Sequence, residues 1–159
     1  MPHNLPAEPL EALVLRPEQT RSVTRGARIL LRSLGHAVLR EFPLPDGRRA
    51  DLVALGRDGS IRIVEVKSSV ADFRADGKWR HYQSFCDRFY FAIPLGLAES
   101  ADGVFPQEAG LIIADAHGAA VEREAPISAL APAARRSLLV RFGALAATRL
   151  HAALHPGEP

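Results

Sequence analysis

A seven-residue apolar segment that ends in two charged side chains constrains the fold of this chain more than any other feature. The segment spans residues 61–67 and reads IRIVEVK. Because successive side chains of a strand point to opposite faces, Glu65 and Lys67 continue the face that begins with two isoleucines, and the other face carries two valines. A strand that is apolar on both faces is typical of the centre of a sheet, where a charge must be paired, neutralised or bound to a metal.

A turn sequence precedes this strand and predicts its pairing. Residues 56–60 read GRDGS, in which the Asp-Gly pair is the expected apex of a tight turn. The turn separates two apolar runs, at residues 50–55 and 61–67. The sequence therefore predicts a β-hairpin over these two runs.

The register of the hairpin follows from its hydrophobic pattern. If Leu55 pairs with Ile61, the apolar side chains of both strands line one shared face, and a slip of one residue would destroy that agreement. In this register Asp51 lies opposite Glu65, with Cβ atoms about 4.5–5.5 Å apart. Two carboxylates that close repel each other unless a cation lies between them or one of them is protonated. The pattern therefore predicts a divalent metal site.

Composition indicates a soluble globular protein. The chain has 159 residues, of which 47% are hydrophobic and 24% charged, so one domain with a real core is expected. Cys86 is the only cysteine, which excludes an internal disulfide and a zinc ribbon and is consistent with a reducing compartment. No signal segment and no membrane-spanning stretch is recognised, so we expect a cytoplasmic protein with no membrane partner.

A helix is predicted from Pro17 to about residue 34, and arginines recur along one side of it. Its core-facing stripe is expected to consist of Val23, Ala27, Leu30 and Leu34. The arginines are Arg21, Arg25, Arg28 and Arg32. With a net charge of +2, this row is either an ordinary solvated face or a ridge that follows nucleic-acid phosphates.

The remaining segments predict a single α/β domain with a central mixed sheet flanked by helices. Residues 1–16 contain three prolines without periodicity and are expected to form a flexible arm, and the domain then covers residues 17–155. After the helix at 17–34 we expect strands at 37–42, 50–55 and 61–67, a helix at 78–86, strands at 88–93, 110–114 and 119–123, and a helix from Pro132 to about residue 151.

The arrangement of Asp51, Glu65 and Lys67 resembles the motif of the PD-(D/E)XK nuclease superfamily, whose fold is restriction-endonuclease-like. In that motif an acidic residue is followed, on the next strand, by acid-x-Lys. Ala50 stands where the superfamily name has proline, and the first predicted helix lacks the interior glutamate of many relatives. Glu18 and Glu41 are the acids that could replace that glutamate.

A longer pattern is similar to the MmcB family of bacterial DNA repair proteins. It consists of GRRADLVAL at 47–55, IVEVKSSVADFR at 63–74, KW at 78–79 with Tyr82, and CDRFYFA at 86–92. This resemblance extends over about residues 20 to 115 and is far more specific than the bare acid-lysine motif. It implies a role in repairing DNA damage, with a nuclease-like fold and a location in the bacterial cytoplasm, on the nucleoid when bound to DNA.

The chemistry expected of these residues is hydrolysis of a phosphodiester assisted by Mg²⁺, for which Mn²⁺ could substitute. The expected ligands are Asp51, Glu65 and the backbone carbonyl of Val66, with Glu41 as a further candidate, because hard oxygen atoms suit Mg²⁺. Lys67 is expected to orient the attacking water, to help deprotonate it, or to stabilise charge in the transition state.

DNA is the expected partner, with a homodimer and other repair proteins as further possibilities. Besides the four arginines, the candidate contacts to DNA are Ser68, Lys78, Tyr82 and Gln83. Turn formation by Ser68 and core packing by Tyr82 and Trp79 are the alternatives, and N-capping of a helix is the expected role of Asp72 and Asp76. The alternative function is a catalytically silent nucleic-acid-binding or scaffold protein, and RNA remains open as a substrate.

Overall fold

The computed structural model describes residues 10–158, with side chains from Pro17 onward, and contains one six-stranded sheet with helices on both faces. The strands are β1 (Ala37–Pro43), β2 (Arg49–Leu55), β3 (Ile61–Val66), β4 (Arg88–Ile93), β5 (Gly110–Ala114) and β6 (Ala119–Arg123). The α-helices are α1 (Leu10–Ser33), α2 (Val70–Ala75) and α3 (Pro132–Leu154), and two 3₁₀-helical segments cover Trp79–Phe85 and Leu95–Gly103.

The strands follow the order of the sequence across the sheet, and their directions are mixed. Strand β3 pairs in parallel with β4, and β4 with β5, whereas the other neighbours are antiparallel. This confirms the predicted α/β class with a central mixed sheet. None of the helices within residues 10–158 is both long enough and apolar enough to cross a membrane.

The core lies on both faces of the sheet, as the two-sided apolar pattern of β3 predicted. On one face Ile61 and Ile63 pack with a cluster of aromatic side chains and with Leu138 of α3. On the other face Val64 and Val66 pack against α1. Strand β3 is therefore central and buried, and a charged side chain at its end lies beside the hydrophobic core.

Helix α1 begins earlier than the sequence indicated and turns a different stripe to the sheet. It starts at Leu10 and contains Pro17, which was expected to start it, while the part of the predicted arm before Leu10 lies outside the described residues. After Val23 and Ala27 the next buried side chain is Leu31, at 1% exposure, whereas the predicted Leu30 is partly buried and Leu34 is 51% exposed. The helix ends at Ser33, before Leu34 could complete another buried turn.

Replacing Gly26 with alanine is expected to destabilise the protein by about 1–3 kcal/mol. A Cβ at this position of α1 would lie 2.1 Å from the carbonyl oxygen of Asp115 and 2.3 Å from that of Gly118, so the helix would have to move away from the β5–β6 turn. The same change at Gly143 in α3, where nothing lies within 4 Å, should instead stabilise the protein. Urea unfolding of both variants tests this prediction. It would be contradicted if Gly26→Ala were as stable as the unmodified chain.

Candidate active site

The β2–β3 hairpin has the register that the sequence predicted. Leu55 pairs with Ile61, and the last recorded pair before the site joins Leu52 to Val64. Gly59 in the turn has φ +81°, which favours glycine at the predicted apex. Continuing the ladder by one residue on each strand brings together Asp51 and Glu65.

The two carboxylates are tied to the backbone at the end of the hairpin. The backbone N–H of Asp51 donates to Oε1 of Glu65 at 2.9 Å, and the N–H of Val66 donates to Oδ2 of Asp51 at 2.8 Å. Glu65 is 5% exposed and Asp51 is half-buried. Among the described residues no donor reaches the second oxygen of either carboxylate, so each acid has one anchored oxygen and one that could bind a ligand.

Burial is the largest influence on the pKa of both acids, and the nearby charge of Lys67 opposes it. Burial, followed by the neighbouring charge of Asp51, raises the pKa of Glu65 to about 8. Burial also raises the pKa of Asp51 from its ordinary value, although the hydrogen bond from Val66 opposes the shift. Both shifts favour the protonated forms of the acids, and a divalent cation bound beside them would lower both pKa values.

Lys67 follows β3 directly and forms an ion pair with an aspartate that the sequence did not single out as its partner. Its backbone N–H donates to the carbonyl of Ala92 at 2.9 Å, and its side chain is 9% exposed. Its ammonium lies 2.7 Å from Oδ2 of Asp76. Burial acts to lower the pKa of Lys67, but the bond to Asp76 and the other nearby acids raise it overall, so the ammonium form prevails at neutral pH.

The short helix α2 places Asp76 and was not predicted. Its N-cap is Ser69, whose hydroxyl accepts a hydrogen bond from the N–H of Asp72 at 3.0 Å. Asp72 in turn accepts a long hydrogen bond, 3.4 Å, from the N–H of Ser68. The predicted N-cap role is wrong for both aspartates, because Asp72 lies in the first turn of α2 and Asp76 is the C-cap of that helix, while Lys78 is the N-cap of the next helical segment.

Glu41 lies opposite Asp51 in the β1–β2 register, but its backbone leaves the regular strand conformation. It has φ +47°, and Arg149 of α3 donates to its carbonyl oxygen at 3.0 Å and to that of Arg40 at 2.5 Å. The Glu41 side chain is 60% exposed, with Oε1 3.7 Å from Arg49. In this arrangement the Glu41 carboxylate pairs with Arg49, and its role as a metal ligand stays a prediction.

Asp51 and Glu65 could serve as two ligands of a divalent cation, but the protein would supply only part of its coordination. Asp51 and Glu65 offer two hard oxygen atoms from adjacent strands, and their raised pKa values indicate that positive charge would be favourable there. Among the described residues, no group of three or more histidine, cysteine, aspartate or glutamate side chains is placed to hold an ion. Water, a substrate phosphate or the predicted Val66 carbonyl would have to complete the coordination, as is common for Mg²⁺.

The four arginines of the predicted ridge are all exposed along α1, on the opposite face of the sheet from Glu65. Arg21 reaches the end of the sheet that carries the acid pair. There it lines a cleft of about 780 Å³ together with Arg40, Ser68 and Asp72. The ridge therefore reaches the cleft at Arg21, and Arg40 is a further cation of the cleft that the sequence did not reveal, beside the acids Glu41 and Asp72.

The other candidate contacts to DNA are divided between surface and core. Lys78 is exposed and its backbone N–H donates to Oδ1 of Asp76, while Gln83 donates to the carbonyl of Glu108 at 3.4 Å. Tyr82 is 9% exposed and its ring is stacked on Phe89 with 5.9 Å between centroids, which agrees with the packing alternative. It belongs to the 3₁₀ segment where the sequence predicted an α-helix.

A solved structure and a family model each match most of this chain. The solved structure of the SPO1766 protein of unknown function from Silicibacter pomeroyi has 40% sequence identity and a TM-score of 0.81, and the match covers 89% of this chain and 95% of that one. Among curated proteins, none matches the sequence. The family model described as "MmcB-like: DNA repair protein MmcB-like" matches residues 9–157, and the chain therefore belongs to the MmcB-like DNA repair protein family.

Proposed function

We propose that this MmcB-like protein is a metal-dependent DNA nuclease of the PD-(D/E)XK type. The observation that carries the proposal is the close pair of buried Glu65 and half-buried Asp51, with Lys67 beside it at the same strand end. Two close carboxylates in this largely buried position repel each other, whereas amide side chains could accept the same two backbone hydrogen bonds without that cost. Membership of a DNA repair family supports DNA as the substrate.

Each residue has a distinct task in this mechanism. The second oxygens of Asp51 and Glu65 would hold the metal at the end of the hairpin. Bound Mg²⁺ would supply Lewis-acid polarisation of the phosphate and a lowered pKa for a bound water molecule. Lys67 is charged at neutral pH, so it would orient the water and stabilise the negative charge that develops on the phosphate oxygens; it would not accept the proton.

The DNA would approach along the arginine ridge of α1, which reaches the cleft at Arg21. The ridge of Arg21, Arg25, Arg28 and Arg32 extends from the cleft along the helix. Consecutive members are separated by about 4.5–6 Å along the helix axis, at 1.5 Å per residue. Exposed arginines at this spacing can neutralise successive phosphates without reading sequence.

A DNA-binding protein without nuclease activity is the second candidate. The observation in its favour is that no third acid joins Asp51 and Glu65 within the described part of the chain, so any metal would depend on water or substrate for most of its ligands. Both candidates use the same cationic surface and differ in whether a phosphodiester is broken.

Incubation with DNA separates the two candidates. Branched, gapped and single-stranded DNA labelled at one end should be cut in the presence of Mg²⁺ or Mn²⁺, and excess chelator should stop the cleavage while binding persists. Retarded migration of DNA without any cleavage in either metal would favour the silent binding protein. Neither binding nor cleavage of any of these DNA substrates would contradict both.

A further inference from the structure

We propose that Asp76 is a positioning residue that holds the Lys67 ammonium away from Asp51 and Glu65 and so keeps the acid pair available for a metal ion. This inference deepens the proposed function and rests on it. The Lys67 ammonium lies beside Asp76, with Nζ 2.7 Å from Oδ2 of that residue.

Lys67 has two sets of carboxylates around it: Asp76 and Asp72 on one side, and Asp51 and Glu65 on the other. Glu65 and Lys67 project from the same face of the strand, and two residues of strand separate their Cα atoms by about 6.6 Å. A lysine side chain is flexible and about as long as that separation, so its ammonium could bridge the acid pair directly. In the structure it instead bonds Asp76, which leaves Asp51 and Glu65 to backbone donors.

Asp76 is well suited to fix the ammonium because both of its carboxylate oxygens are engaged. Oδ2 bonds Lys67, and Oδ1 accepts a hydrogen bond from the backbone N–H of Lys78 at 3.2 Å. The backbone N–H of Asp76 donates to the carbonyl of Phe73 and ends helix α2. The carboxylate is thus attached to the junction between two helical segments, which is a rigid support for a mobile lysine.

Loss of the Asp76 charge has a specific consequence for metal binding. In Asp76→Asn the ammonium would lose its counter-charge and would be drawn toward the remaining acids around it, which are Asp72 and the pair of Asp51 and Glu65. A divalent cation would then have to displace the ammonium before it could bind. We expect Asp76→Asn to weaken Mn²⁺ binding by about tenfold, which is the effect of one displaced charged hydrogen bond.

The test is calorimetric titration of the full chain with Mn²⁺ in the absence of DNA, for Asp76→Asn, Lys67→Met and the double variant. Removal of the competing ammonium should restore binding, so the double variant should match Lys67→Met within about twofold. A direct effect of the lost negative charge would instead persist in the double variant and would overturn the inference. Asp102→Asn, which removes a charge from a side chain that is 95% exposed, is the matched control and should bind as the unmodified chain does.

Several outcomes distinguish this inference from the proposed function. Mn²⁺ binding by the unmodified chain that is unchanged in Asp76→Asn would overturn the positioning role alone. Absence of Mn²⁺ binding by the unmodified chain would overturn both. If Asp76→Asn does not fold, Asp76→Glu takes its place: retained Mn²⁺ affinity supports a charge-dependent restraint on Lys67, and a tenfold loss that Lys67→Met does not reverse overturns it.

Discussion

Replacing Glu65 with glutamine is expected to lower metal-dependent DNA cleavage by about 10³-fold or more. The amide keeps the size of the side chain and an oxygen that can accept the hydrogen bond from Asp51, so the hairpin should be preserved. It removes the negative charge that would hold the metal. Asp51→Asn and Lys67→Met should have effects of the same order, because each removes one part of a single unit. Initial rates of cleavage with saturating Mg²⁺ measure the effect.

The stability of these variants separates a lost site from a lost fold. Glu65 is a buried acid next to a second acid, so its neutral replacement should leave the melting temperature unchanged or raise it. Glu122→Gln, at an exposed position of β6, is the matched control and should cleave normally. Undiminished cleavage by Asp51→Asn, Glu65→Gln and Lys67→Met together would show that these residues do not form the active site.

The hairpin that carries the acid pair was predictable because local and non-local signals agree there. The turn requires a residue with positive φ, which Gly59 supplies, and the hydrophobic pattern accepts only the register that pairs Leu55 with Ile61. A period of two residues then determines which side chains share a face. The opposition of Asp51 and Glu65 follows from these local constraints.

The partner of Lys67 could not be predicted in the same way. Helix α2 has only six residues and no fully buried side chain, so no period of 3.6 residues is visible in its sequence. The position of Asp76 depends on the direction in which this short helix leaves the sheet, and that direction is set by tertiary contacts. The capping preference of aspartate correctly indicated a helix boundary at Asp76. It did not indicate that this boundary is the end of a helix and not the start of one.

The backbone of Glu41 is a second feature of the site that the sequence could not predict. Its left-handed backbone is unusual for glutamate, and the arginine that bonds its carbonyl oxygen lies 108 residues further along the chain. A window of sequence around Glu41 reads as an ordinary strand. The irregular backbone at Glu41 depends on a contact with a residue distant in sequence. It is therefore visible only in the three-dimensional structure.

At the opposite end of β3, Asp87 links three parts of the fold. Its carboxylate accepts hydrogen bonds from the backbone N–H of Ile61 at 2.8 Å and of Leu130 at 2.9 Å. Arg135 near the start of α3 donates to both of its oxygens, at 2.7 and 2.8 Å. Asp87 is 7% exposed, so it joins the start of β3, the loop before α3 and α3 itself from a buried position.

We expect Asp87→Ala to destabilise the protein by about 2–4 kcal/mol at pH 7, because it leaves two backbone donors and a partly buried guanidinium without their acceptor. Chemical denaturation at pH 7 measures this difference. Glu108→Ala provides the comparison, since its ion pair with Arg80 at 3.2 Å joins side chains that are both more than half exposed. That variant should lose less than about 1 kcal/mol. Equal losses in the two variants would contradict the structural role of Asp87.

The same contacts give the contribution of Asp87 a pH dependence of known sign. Burial alone would raise its pKa, but the hydrogen bonds from Arg135, Leu130 and Ile61 lower the pKa to about 2. Because the carboxyl has an ordinary value of 3.8, the unfolded chain takes up its proton at a higher pH than the folded chain does. The stabilisation is therefore complete above about pH 5 and is lost as the pH falls toward about 2. The stability difference between the unmodified chain and Asp87→Ala should shrink over that range, and a difference that stays constant down to pH 2 would show that Asp87 is not ionised in the folded protein.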